Sequence, residues 1–158
     1  MTTTENVFDG LQPLFPDYAV RPIDGVFNWR DCLGSVDEGE WYVVAFRSVR
    51  RPEADDPLLY RLDERALAEA RAHGGLLHYF SGELDDERRC LSMCVWESRE
   101  RASEGAALPA HTEAIGISGA TYTSYVLERY RLTKRDGTVE LVELEPPQHS
   151  AAVDGRSS

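Results

Sequence analysis

Apolar and polar positions along this chain change their period several times, and each change marks an element. Trp41 to Val49 is dense in aromatic and β-branched residues, which predicts a strand. From Leu58 to His73 the apolar residues Leu59, Leu62, Ala66, Leu67 and Ala70 recur at helical spacing. Gly74-Gly75 then supplies a left-handed cap that ends the helix. Leu76 to Leu84 reads as a second strand and Cys90 to Trp96 as a third, with Asp85-Asp86-Glu87 as the turn of a hairpin. Ser98 caps a second helix, favoured by Glu100 near its start and broken at Pro109 before Ala114–Ile117. Thr121 to Leu132 is a fourth strand. Asp136-Gly137 turns the chain into a returning strand, Val139 to Leu144.

The order strand, helix, strand, strand, helix, strand is that of a ferredoxin-like α+β fold. It has an antiparallel sheet, both helices on one face and an extra C-terminal hairpin strand. Alternation divides the strands by face. On the third strand, Cys90, Ser92, Cys94 and Trp96 share one side and Leu91, Met93 and Val95 the other. On the second, Leu76, His78 and Phe80 oppose Leu77, Tyr79 and Ser81. On the fourth, Tyr122 and Tyr130 oppose Tyr125. Both sides of the third strand are too apolar for water, which predicts a homodimer formed through the helix-free sheet face. Residues 1–37 form an arm broken by Pro13, Pro16 and Pro22, yet too apolar to be solvated, so it packs on the body or on a partner. The domain spans 38–146, and 147–158 reads as a disordered tail.

Composition narrows the partners. The chain has 158 residues and a formal net charge of -11. Such an acidic surface repels phosphate backbones and anionic membranes, so neither nucleic acid nor membrane is an expected partner. The three cysteines, and a start without basic and apolar signal regions, suit free thiols in the cytoplasm. Cys90 and Cys94 lie about 13 Å apart at strand rise, too far for a disulfide or a shared metal. No dinucleotide, P-loop or zinc motif is present, so neither cofactor nor metal is expected.

Trp96-Glu97-Ser98-Arg99-Glu100, followed by Leu108-Pro109-Ala110-His111, resembles the W-x-S-x-E and S-P-x-H pattern of the antibiotic biosynthesis monooxygenase family. That family belongs to the dimeric α+β barrel superfamily. The resemblance covers roughly residues 41–132. It implies a dimeric barrel, a pocket between sheet and helices, and cofactor-free oxidation of aromatic or polyketide-type substrates. Three features depart from the pattern: the arm is longer, the C-terminal hairpin is extra, and the first strand lacks the Asn of the heme-degrading branch.

The candidate chemistry follows from residue type. His111, after Pro109 on a helix, is either a general base, a heme ligand or a helix-end His with local bonds. His78, mid-strand, either meets a substrate phenol or is a satisfied core His. Tyr125 could present a phenol to the substrate. Trp96, Tyr79, Phe80, Arg47 and Trp29 are the candidates for lining a substrate pocket, each with packing or solvent exposure as the alternative. The expected reaction is a cofactor-independent monooxygenation. The alternatives are a heme protein with a His axial ligand, a non-redox lyase, isomerase or cyclase, and a non-catalytic binding dimer.

Overall fold

Six strands make one antiparallel sheet in the computed structural model, which describes residues 6–150. β1 (Gly39–Arg50) lies between β3 (Arg89–Trp96) and β4 (Tyr122–Arg135). β2 (Leu76–Ser81) flanks β3 and β5 (Thr138–Glu143) flanks β4. The order β2-β3-β1-β4, with its two crossovers, is the ferredoxin-like arrangement.

Local chemistry sets the element ends. α3 (Asp56–His73) starts where the Asp55 carboxylate accepts from the Leu58 amide at 3.0 Å. It stops at Gly74, whose φ of 100° is open to glycine at little cost. α4 (Arg99–Ala106) is capped by the Ser98 hydroxyl, which accepts from the Arg101 amide. Pro109 opens α5 (Pro109–Gly116), where its missing N–H costs nothing. A single turn, α6 (Ser118–Thr121), leads into β4. Asp136 and Gly137 both have positive φ, 49° and 77°, as a tight hairpin turn between β4 and β5 requires.

The arm covers the helix-free face. It contains two single 3-10 turns, Val7–Gly10 and Tyr18–Val20, and two short helices, α1 (Ile23–Val26) and α2 (Trp29–Cys32). Phe8, Ile23, Val26, Phe27, Trp29 and Leu33 pack there on Val43, Ala45, Leu91, Met93, Val95 and Leu132. Burying each large side chain contributes about 1.5–3 kcal/mol of gross transfer free energy. Asn28 laces the arm together: its Oδ1 accepts from the Gln12 amide at 2.8 Å and its Nδ2 donates to the Gly10 carbonyl. This corrects the route expected for the dimer. The face that was to meet a second copy is occupied by the chain itself, because the apolar side chains of the arm, from Phe8 to Leu33, are buried on the nearest open sheet.

Two register shifts revise the assignment of strand faces. Between Val49 and Arg50 the pairing with β4 slips, so that Arg50 meets Tyr122 while Ser48 meets Tyr125. Tyr122 and Tyr125 therefore share the helix side with Phe46, and Tyr130 takes the arm side. In β2 the slip lies between Leu76 and His78. Leu76 pairs with Trp96 on the helix side, whereas His78 pairs with Val95 on the arm side. A one-residue bulge flips every later side chain.

The segment expected to be a tail from 147 begins with ordered residues. β6 (Gln148–His149) pairs with β4, and buried Ser150 accepts from the Tyr125 amide through Oγ. Residues 151–158 lie outside the described part. Among the described residues, no helix is long and apolar enough to cross a membrane.

Candidate functional site

Two hollows flank the sheet. The one on the arm side, about 560 Å³, is lined by Arg47, Glu128 and Tyr130 among others. Arg47, Glu128 and Tyr130 engage one another there. Arg47 Nε donates to Glu128 at 2.8 Å, and its Nη1 and Nη2 donate to the arm carbonyls of Ala19 and Arg21, each at 2.8 Å. Tyr130 donates to Glu128 at 2.7 Å. This hollow is a structural clasp.

The hollow on the helix side, about 510 Å³, is the candidate site. Phe46, Ser48 and Arg50 of β1 form its floor, joined by Ser92 of β3, Tyr79 of β2 and Tyr122 of β4. Tyr60 and Asp63 of α3 form a wall, and the loop from Gly82 to Leu84 makes the rim. Arg50 reaches this floor by plain alternation from Phe46 and Ser48, and the extra residue on the partner strand, Thr123, brings Tyr122 onto it as well. Arg50 is only 6% exposed. Its Nη1 donates to the Tyr60 hydroxyl at 2.8 Å and reaches Asp56 at 3.3 Å, while its buried Nε lacks a partner among the described residues. Burial opposes its charge, but the Tyr60 hydroxyl and the Asp56 carboxylate outweigh that and keep it a cation.

The acidic groups here are shifted toward their protonated forms. Burial raises the Asp63 carboxyl above its ordinary value, with Arg50 pulling the other way. Burial pushes Tyr79 up to about 12, and it also pushes Tyr122 up. Both phenols therefore stay O–H donors at neutral pH. The Cys90 thiol is raised by burial too, which makes it a poor nucleophile.

The residues singled out from the sequence are dispersed. Tyr79 lines this cavity, and Tyr125 borders it through ring contacts with Phe46 at 5.2 Å and Tyr122 at 6.0 Å. Phe80 faces the arm against Tyr18 and Phe27. Trp29 is buried in the arm, its Nε1 donating to the Ile23 carbonyl at 2.7 Å. Arg47 belongs to the clasp. Trp96 packs under α4 with Tyr42, Ala70 and Ala102, and its Nε1 donates to Cys94 Sγ at 3.0 Å. His78 lies on the arm side within the field of Asp9, its pKa lowered mainly by burial. His111 sits on α5, which packs against α3. Its buried Nδ1 has no partner of hydrogen-bond geometry among the described residues, and burial lowers its pKa while the Ala106 backbone works the other way. Neither His lines the cavity, so no axial imidazole is presented to a heme placed there.

Arg50, Asp63 and Tyr60 are the site residues that the sequence reading passed over, and Tyr122 is one that it placed on the face opposite Tyr125. One signal was available. Asp63 lies four residues after Leu59 and three before Ala66, inside the apolar stripe of α3, where a carboxylate is out of place.

Comparison with known proteins places the chain in a family. A family model described as PB2B2.08-like matches residues 2–146. The chain belongs to the PB2B2.08-like family. A curated relative in that family, UPF0643 protein PB2B2.08 of Schizosaccharomyces pombe, is 36% identical over 102 residues. That match takes in 61% of the chain and 46% of the relative, so the chain spans less than half of its length. Among solved structures, protein SO0527 of Shewanella oneidensis superposes with a TM-score of 0.52 at 16% identity, covering 61% of this chain and 98% of that one. This likeness shows the fold. The cofactor-independent oxygenase SnoaB of Streptomyces nogalater superposes with a TM-score of 0.46 at 17% identity, covering 62% and 95%.

Proposed function

We propose that this chain is a small-molecule oxidoreductase that oxidises an aromatic or polyketide-type phenol in the cavity between the sheet and α3, with dioxygen as oxidant and no cofactor. The carrying observation is that Arg50 and Asp63 line one cavity: a buried cation and a carboxyl that burial raises above its ordinary value. The reaction class comes from the resemblance of the Trp96 to His111 stretch to antibiotic biosynthesis monooxygenases.

Asp63 takes the phenolic proton, helped by a pKa closer to the working pH than that of a solvated carboxylate. Arg50 balances the charge left on the ring oxygen. The electron-rich anion gives up electrons to dioxygen at a ring methylene. That carbon loses two hydrogens and gains one oxygen atom as a carbonyl, and the second oxygen atom leaves as water. Phe46 and the rings of Tyr79 and Tyr122 hold the substrate plane and keep bulk water away. Three free thiols fit a cytoplasmic setting.

The test is oxygen uptake by the purified chain supplied with a hydroxylated anthrone. Consumption of one dioxygen per quinone formed, well above autoxidation without protein, is the expected result. Uptake no faster than that background rejects the reading.

A further inference from the structure

The rim of the cavity is held from the far side of the sheet. Gly82 to Leu84 leave the end of β2 and line the cavity on the helix side. Both ends of this loop are fixed on β3. The Gly82 amide donates to the Leu91 carbonyl at 3.0 Å, and the Asp85 amide donates to the Arg89 carbonyl at 3.0 Å. Between those points, among the described residues, the backbone of Glu83 and Leu84 makes one hydrogen bond: the Glu83 amide donates to the Tyr18 hydroxyl at 2.9 Å. Tyr18 belongs to the arm, which covers the other face. Its ring packs edge-on against Phe27 and Phe80, with centroids 6.1 and 5.6 Å away. The turn that begins at Tyr18 is tied to β1 as well, since Arg47 donates to the carbonyls of Ala19 and Arg21. Gly82 is what lets the ring lie against the loop. A Cβ there would come 3.0 Å from the Tyr18 oxygen, 3.1 Å from its Cε1 and 2.3 Å from the Leu91 carbonyl oxygen. A hydroxyl seated in the arm's aromatic cluster thus fixes two residues that line the cavity.

We infer that Tyr18 is a positioning residue for the cavity: through its hydroxyl the arm keeps the rim loop in place, so that the packing of the arm sets how tightly the cavity takes its ligand. This rests on the reading of the cavity as a site for phenols. A rim ordered before the ligand arrives has less conformational freedom to lose on binding. Arg50 and Asp63 stand on β1 and α3, away from the loop. The hold therefore acts on binding and leaves the reaction step alone.

The variant that tests this is Tyr18→Phe, which removes the hydroxyl and keeps a ring against Phe27 and Phe80. Exchange of the Glu83 amide with solvent, followed by NMR on the full chain, should quicken about threefold to tenfold, the scale of one hydrogen bond. Titration calorimetry should show naphthol bound more weakly by about the same factor. In oxygen uptake with the anthrone, KM should rise while kcat holds. An unchanged Glu83 exchange rate overturns the inference. Faster exchange with unchanged naphthol affinity also overturns it, as does a fall in kcat at constant KM. Each of those results leaves the phenol site standing. An intact chain that binds no naphthol overturns the two together.

Discussion

Arg47 and Glu128 meet diagonally across β1 and β4 at 2.8 Å, and the same guanidinium holds the arm through the carbonyls of Ala19 and Arg21. Arg47→Met removes three bonds and leaves Glu128 and Tyr130 without that cation. Loss of about 2–3 kcal/mol is expected in urea unfolding, since bonds to charged groups carry that order. Proteolysis within the arm should rise in parallel. A change under about 0.5 kcal/mol, the range of an ordinary surface substitution, would show that the clasp is ornamental.

Covering of the helix-free face by the arm also has a consequence for assembly. A chain lacking residues 1–36 exposes Val43, Ala45, Leu91, Met93 and Val95, all buried in the intact molecule. An apolar surface of that kind drives association. Light scattering should show the truncated chain as a dimer or larger species at concentrations where the intact chain is smaller. A truncated chain that stays folded and monomeric counts against the arm as the cover.

Gly105 sits where a side chain has no room. A Cβ placed there would lie 2.4 Å from Cη2 of the Trp96 indole. Helix propensity favours alanine by roughly 1 kcal/mol, but overpacking against a rigid ring costs about 1–3 kcal/mol. Gly105→Ala is expected to lower the melting temperature. Gly119→Ala, with nothing within 4 Å of its Cβ, is the control.

Asp63→Asn separates chemistry from folding. Removing a general base costs roughly 100-fold or more in kcat. Because burial raises the Asp63 pKa, the folded state resists its charge, so the neutral amide should not reduce stability at pH 7. Undiminished oxygen uptake in this variant would exclude Asp63 as the base.

Protonation of the two half-buried imidazoles opposes folding. His78 and His111 have folded pKa values below the ordinary 6.5, chiefly through burial. Below about pH 6.5 the unfolded chain takes up protons that the folded chain refuses, so stability falls as pH drops through that value toward the folded pKa values. Melting temperature should therefore decline from pH 7.5 to pH 5.5. In His111→Gln that decline should be shallower; an identical slope would remove His111 from the account.

Much of the fold was legible in the chain because it depends on near-neighbour chemistry. The stripe from Leu59 to Ala70, the Ser98 cap and the Asp136-Gly137 turn report conditions satisfied within a few residues. The candidate site was far less legible. Trp96 and His111 stand out in sequence, yet one packs beneath α4 and the other lies on α5 outside the cavity. Only Tyr79, and Tyr125 at the border, proved to be near the hollow.

The sequence alone determined the order of elements and the ferredoxin-like class, since period and turn chemistry are carried by short stretches of chain. Tertiary structure decided which side chains share a face wherever the register slips. The slips at Arg50 and His78 arise from pairing between strands far apart in sequence, and each moves one residue's worth of register. With a side-chain period of two, that is enough to bring Tyr122 to the floor of the cavity and to put Leu76 and His78 on opposite sides of the sheet. The arm's place on the sheet was likewise decided in three dimensions. Its apolar residues announce that they must be buried, but not which surface lies within reach.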